Sequence, residues 1–135
     1  MGTIIASVPF ALLLLISTFM VDVAPVNDAP LITSSPPSSD VELDSTFSYQ
    51  VTATDVDDND LTLTYSISGA PNGMTISDLG LIEWSPDAHG SFGPITITVS
   101  DDDIDSDSQA FSLEAYYFDC SGIKNGDKLL DNCGT

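Results

Sequence analysis

Four runs of this chain alternate apolar and polar side chains with a period of two. Phe47, Tyr49, Val51 and Ala53 interleave with Ser48, Gln50, Thr52 and Thr54. Leu61, Leu63, Tyr65 and Ile67 interleave with threonines and serines, as do Ile95, Ile97 and Val99. Phe111, Leu113 and Ala115 do the same near the carboxy-terminal end. A period of two puts every second side chain on one face of an extended strand, so each run predicts a strand with one buried and one wet face. Shorter runs at Leu31–Ser34, Met74–Ser77 and Leu81–Trp84 bring the total to seven. The runs are separated by turn chemistry: Pro36-Pro37, Asp57-Asp58-Asn59-Asp60, Pro71-Asn72-Gly73, Pro86-Asp87 and Asp101-Asp102-Asp103.

Seven short strands with such turns, and no helical spacing beyond residue 21, predict an all-β, seven-stranded immunoglobulin-like Greek-key sandwich. The Cys…Trp…Cys spacing of antibody domains is absent. Trp84 is expected as a plug between the sheets. The predicted core comprises Phe47, Tyr49, Val51, Leu63, Tyr65, Ile67, Trp84, Ile95, Ile97, Val99, Phe111 and Leu113.

Charge narrows the function. The chain has 135 residues and a formal net charge of -19, with 21 acidic residues against two basic ones. Lys124 and Lys128 cannot neutralise a phosphate backbone, which argues against nucleic acid as a partner. An anionic membrane surface would repel the chain. An apolar fraction of 42% in ordered runs argues against acidic disorder. The natural small partner is a cation that offsets the self-repulsion.

Four segments are expected. Residues 1–21 are strongly apolar from Ile4 onward and read as an export signal or membrane anchor, or as the edge of a fragment. That reading places the protein outside the cell or at its surface, with residues 4–21 as the candidate anchor. Residues 22–30, with Pro25 and Pro30, read as an extended linker. Residues 31–117 form the sandwich. Residues 118–135 form a tail holding both cysteines, Cys120 and Cys133, which can close a short loop in an oxidising compartment or pair outside this segment.

Three acidic clusters carry the chemistry: Asn27-Asp28 in the linker, Asp55 to Asp60 after the second run, and Asp101 to Asp107 between the last two. Sandwich topology brings all three to one pole. Carboxylates packed that closely repel one another, and a hard divalent ion removes the conflict. Ca²⁺, which takes about 6–8 oxygen ligands, suits such a set better than Mg²⁺ or Zn²⁺. The alternative is a solvated acidic surface without metal. On a regular strand Asp55 and Asp57 would leave the same face toward a shared ion.

The stretch Val51-Thr-Ala-Thr-Asp55-Val-Asp57, followed by Leu63-Thr-Tyr65-Ser-Ile67, resembles cadherin repeats. So do Val26-Asn27-Asp28-Ala29-Pro30 and Val99-Ser100-Asp101. Ala70-Pro71, Gly73-Met74, Gly80-Leu-Ile82, Trp84, Pro86 and His89-Gly90 resemble the bacterial, dystroglycan-type cadherin-like variant. The resemblance covers residues 26–117. It implies a cadherin-like sandwich with Ca²⁺ ligands at Asn27, Asp28, Asp55, Asp57 and Asp101, and with Glu42 serving a site at the opposite pole. The L-D-R-E motif and a second N-D-x-P linker after Tyr117 are both missing. The tail, Asp119-Cys120-Ser-Gly122 through Asp131-Asn-Cys133-Gly134, resembles D-C-x-G repeats of large secreted proteins.

No catalytic motif is found: there is no nucleophile elbow, P-loop, dinucleotide fingerprint or HExxH. The one histidine, His89, sits before Gly90 in a turn. The chain is therefore expected to be a non-enzymatic, Ca²⁺-binding extracellular module of a larger adhesion protein. Its expected partners are neighbouring repeats of that protein, and a cell-surface protein or glycan. The alternatives are a metal-free spacer and a carbohydrate-binding accessory module, for which Tyr116, Tyr117 and Phe118 are the contiguous aromatic candidates.

Overall fold

The alternating runs become strands in the computed structural model, which describes residues 26–57 and 62–126. In chain order these are β1 (Leu31–Ile32), β2 (Asp40–Glu42), β3 (Phe47–Gln50), β4 (Ala53–Thr54), β5 (Thr64–Ser68), β6 (Thr75–Ile76), β7 (Leu81–Trp84), β8 (Gly90–Ser100) and β9 (Ser106–Tyr116). Every predicted run has its strand. The second run is divided into β3 and β4, and β2 is added. Among the described residues there is no helix.

One sheet has the order β2-β9-β8-β5 and another β3-β7-β6, while β1 pairs with β4. Because β4 follows β3 after only Val51 and Thr52, the β1–β4 pair extends the second layer. The division is a change of partner. Val51 still donates to Gly80 across from β7, whereas the Thr52 carbonyl accepts from Thr33 and Ser34 beyond β1. This is the immunoglobulin arrangement, with two sheets packed face to face and non-consecutive neighbours within each. The first sheet carries one parallel pair, β2 on β9, with Asp40 opposite Glu114 and Glu42 opposite Tyr116.

Period two sorts the side chains between core and water. Ile95, Ile97 and Val99 on β8 are fully buried, while the residues between them are not. They face Ile82, Trp84, Phe47, Tyr49 and Val51 from the opposite layer. Fully burying an aliphatic or aromatic side chain of this size is worth about 1.5–3 kcal/mol, so each of these residues contributes substantially to holding the layers together. Nine of the twelve predicted core residues are buried outright. Tyr65, Ile67 and Phe111 are half-buried and pack against the cluster, which also takes in Val41, Ala53, Met74, Ile82 and Ala115. Trp84 plugs the interior as expected. Its ring meets Phe92 edge-on at 4.9 Å, and its Nε1 donates to the Asn72 carbonyl at 3.1 Å. That carbonyl is presented by the Pro71–Met74 turn, which closes through the Met74 N–H on the Pro71 carbonyl and needs φ +81° at Gly73.

A polar clamp ties the layers near β1. The Tyr49 hydroxyl donates to Gln109 Oε1 and shares a hydrogen bond with Ser34 Oγ, each at 2.8 Å, and Gln109 Nε2 donates to the Ser34 carbonyl at 2.9 Å. The Ile32 N–H donates to Asp107 Oδ2 at 2.9 Å, so β1 is held to β9 as well as to β4.

Strand direction defines the two poles. Leu31 at the start of β1 lies opposite Thr54 at the end of β4, and Ser100 at the end of β8 opposite Ser106 at the start of β9. The linker, the segment after β4 and the β8–β9 turn therefore share one end. The far end holds Glu42 and Tyr116.

Candidate functional site

At the amino-terminal pole, hydrogen bonds link the three acidic clusters. Asn27 Nδ2 donates to Asp101 Oδ2 at 2.9 Å and to Asp105 Oδ2 at 3.0 Å. One amide group thus bridges two carboxylates from the β8–β9 turn. The Asp28 N–H donates to Asp57 Oδ2 at 2.7 Å, tying the linker to the segment after β4. Within that segment the Asp57 N–H donates to Asp55 Oδ1 at 2.8 Å. In the β8–β9 turn the Asp105 N–H donates to Asp101 Oδ1 at 2.9 Å.

These contacts explain the local chain path. Aspartate carboxylates readily accept from a backbone N–H two to four residues on, which turns the chain where a strand would otherwise continue. Asp55 and Asp57 consequently lie in a turn beyond β4, and the expected same-face strand geometry is corrected: Asp55 is half-buried and its carboxylate folds back on Asp57. Asp101 is buried as β8 ends, whereas Asp57 and Asp105 are exposed. Asp58, Asn59 and Asp60 lie outside the described residues.

The donor set fits a hard cation in kind. Every side-chain oxygen comes from a carboxylate or an amide, and a carboxylate oxygen that accepts one hydrogen bond keeps another lone pair. The arrangement is nevertheless held by N–H groups: the Asn27 amide stands between Asp101 and Asp105, and backbone amides cap Asp55, Asp57 and Asp101. Among the described residues no three His, Cys, Asp or Glu side chains are grouped closely enough to hold a metal ion as they stand.

The remaining expected site residues lie apart from this pole. Glu42 is exposed at the end of β2, and its carbonyl accepts from the Ser45 N–H and hydroxyl. It lines a shallow cavity of about 350 Å³ with Asp40, Ser45, Phe47 and Tyr116. Cys120 is disulfide-bonded. Cys133, the cysteine expected to pair with it, lies outside the described residues.

The tail folds onto the far pole. The Asn125 N–H donates to the Tyr117 carbonyl at 2.8 Å and the Asp119 N–H to the Ile123 carbonyl at 2.9 Å. The buried Asp119 carboxylate accepts from the Ser121 and Ile123 amides at 2.8 and 2.9 Å. Lys124 Nζ reaches Asp40 Oδ2 at 2.7 Å and lies 4.5 Å from the centre of the Tyr116 ring. The hydrogen bond to Asp40 raises the Lys124 pKa above its ordinary value. Lys124 therefore carries its charge at neutral pH and gives up its side of the pair as pH rises through that raised value. His89 meets Tyr117 edge-on at 5.1 Å.

Asp105 and Asp107 were not among the expected ligands. Asp105 stands in an Asp-rich run where spacing does not single it out. The contact of Asp107 with Ile32 depends on a partner 75 residues away.

Two antiparallel layers in this order, closed by the β2–β9 pair, define an immunoglobulin-like sandwich. The chain belongs to the family described as "Putative Ig domain", whose model matches residues 29–115. No curated protein matches the chain. Among solved structures, it is similar to a "putative alpha-galactosidase" from Bacteroides fragilis, with TM-score 0.49 and 11% identity over 66% of this chain and 18% of that one. It is also similar to a "putative alpha-galactosidase/melibiase" from the same organism, with TM-score 0.49 and 13% identity over 66% of this chain and 18% of that one. The chain thus spans a small part of those proteins.

Proposed function

We propose that this chain is a non-catalytic immunoglobulin-like module of a larger extracellular protein, of the cadherin-like kind, whose amino-terminal pole takes up Ca²⁺. The observation that carries the reading is the linker's attachment to both acidic loops, through Asn27 on Asp101 and Asp105 and through Asp28 on Asp57. A cation there would replace N–H donors with a stronger charge and stiffen the joint where a preceding repeat enters. Asn27, Asp28, Asp55, Asp57 and Asp101 would supply the oxygens, with Asp105 as an addition to the set implied by the resemblance. The disulfide at Cys120 supports an oxidising, extracellular setting.

An isolated module should bind weakly. With a Kd near 1 mM, which is typical of extracellular modules, 10 mM Ca²⁺ would add about 1.4 kcal/mol. In a domain of this size, where each kcal/mol shifts the midpoint by about 4–8 °C, that raises the melting temperature by roughly 6–11 °C. Asp55→Ala together with Asp101→Ala should remove the increment, and Asp107→Ala should keep most of it. Equal melting temperatures in Ca²⁺ and in chelator would leave the metal-free spacer as the reading.

The glycan-binding alternative has less support. Lys124 covers the Tyr116 ring and His89 abuts Tyr117, which leaves Phe118 as the exposed member of that aromatic run.

A further inference from the structure

The dipeptide Asn-Gly occurs at Asn72-Gly73 and again at Asn125-Gly126. A glycine after asparagine lets the backbone nitrogen swing toward the preceding carboxamide, because no Cβ stands in the way. The fold treats the two copies oppositely. Asn125 is held: its Oδ1 accepts from the Tyr117 N–H at 3.1 Å, and the Gly126 N–H donates to the Ile123 carbonyl at 3.2 Å. Gly126 is also crowded, since a Cβ placed there would collide with the Asp119 side chain. Asn72 and Gly73 are both exposed, and the space around Gly73 is open. Among the described residues, neither the Asn72 carboxamide nor the Gly73 N–H makes a hydrogen bond. The bond that closes this turn lies outside the pair, from the Met74 N–H to the Pro71 carbonyl at 3.1 Å. Asn27, the remaining described asparagine, is engaged by Asp101 and Asp105, and the N–H that follows it donates to Asp57.

We infer that Asn72 is a site of spontaneous deamidation and that its conversion is transmitted to Trp84. The Gly73 nitrogen attacks Asn72 Cγ. The N–Cγ bond forms, the Cγ–Nδ2 bond breaks, and ammonia leaves with the proton that Gly73 gives up. Water then opens the succinimide, at Cγ to give aspartate or at the former main-chain carbonyl to give isoaspartate. Nothing is oxidised or reduced, and water is the only co-reactant. Ring closure between neighbouring residues is intramolecular, so it needs no partner, only freedom to reach the attacking geometry. That freedom is what separates Asn72 from Asn125. The link to the core is the Trp84 Nε1, which donates to the Asn72 carbonyl at 3.1 Å from a ring that is 2% exposed. In isoaspartate that carbonyl leaves the main chain as a free carboxylate, and the turn gains a methylene in its backbone. The acceptor of a buried indole N–H is thereby displaced. Trp84 is the one tryptophan of the chain and reports the change directly. The inference does not depend on Ca²⁺ binding.

The test incubates the full chain near pH 8 and 37 °C, with a parallel sample near pH 5. Pepsin peptides are then scored for a mass gain of about 1 Da and for separated aspartate and isoaspartate forms. In the native chain Asn72 should convert roughly tenfold faster than Asn125, and faster at the higher pH. In guanidinium chloride, which removes the hydrogen bonds of Asn125 and Gly126, the two should convert at similar rates. Trp84 emission of the native chain should shift with the isoaspartate fraction, and Asn72→Gln should abolish that drift. Equal conversion of Asn72 and Asn125 in the native chain would overturn the inference. So would a preference for Asn72 that persists in guanidinium chloride, or conversion of Asn72 with Trp84 emission unchanged.

Discussion

Ile97 and Tyr49 stabilise the sandwich in different ways. Ile97 is fully buried in the centre of β8, and its worth is contact with neighbours in both layers. Ile97→Ala should leave a cavity and cost about 2–5 kcal/mol in urea unfolding, with an unchanged m-value. Tyr49 is equally a core residue, but its hydroxyl closes the clamp with Ser34 and Gln109. Tyr49→Phe keeps the ring's edge-on packing against Phe111 at 6.1 Å while leaving half-buried polar atoms short of a partner. Its expected cost is about 1–3 kcal/mol by the same measurement. A value near zero would mean that water replaces the hydroxyl. The first role can be read from alternation alone. The second cannot, because the partners of Tyr49 lie 15 and 60 residues away and only the fold introduces them.

Strands followed the same division between local and distant causes. Where apolar and polar residues alternate over several positions, as in β8 and β9, hydrophobic burial determines both the strand and its inward face, so both were legible. β2 has three residues, one of them apolar, between a serine run and a turn, and so has no period to show. It is a strand because β9 offers a parallel edge for Asp40–Glu42. The pole was legible in part. Topology alone brought the linker and the two acidic loops together, as the bonds of Asn27 and Asp28 show. The internal geometry was not legible, because Asp55 and Asp101 turn the chain by accepting backbone N–H groups, which breaks strand periodicity at those positions. Asp107 gives a test of how the short β1 is held. Its carboxylate supplies the acceptor for Ile32, which β4 does not supply. Asp107→Ala should therefore accelerate hydrogen exchange at the Ile32 amide at least tenfold, with little change at Ile97. Equal exchange at Ile32 would show that pairing with β4 suffices.

For the whole molecule, the balance is between a core that holds the layers together and a net charge of -19 that drives them apart. Lys124 is paired with Asp40 at the far pole, so among the described residues nothing basic offsets the acidic clusters at the near one. Two kinds of ion effect are then separable. Screening acts on all carboxylates together: raising NaCl from 10 mM to 0.5 M shortens the Debye length to a few ångströms and should raise the melting temperature of wild type and pole variants alike. Site binding acts only on the loops that Asn27 and Asp28 tie together. At an ionic strength held at 0.5 M, where screening is already near its limit, Ca²⁺ should still stabilise the wild type and Mg²⁺ should do so less, because Mg²⁺ demands tighter octahedral geometry. The Asp55→Ala, Asp101→Ala double variant should respond to NaCl and not to Ca²⁺. If instead the Ca²⁺ increment vanishes at high ionic strength in the wild type too, the ion acts only as a counterion, and the acidic pole contributes solubility rather than a joint.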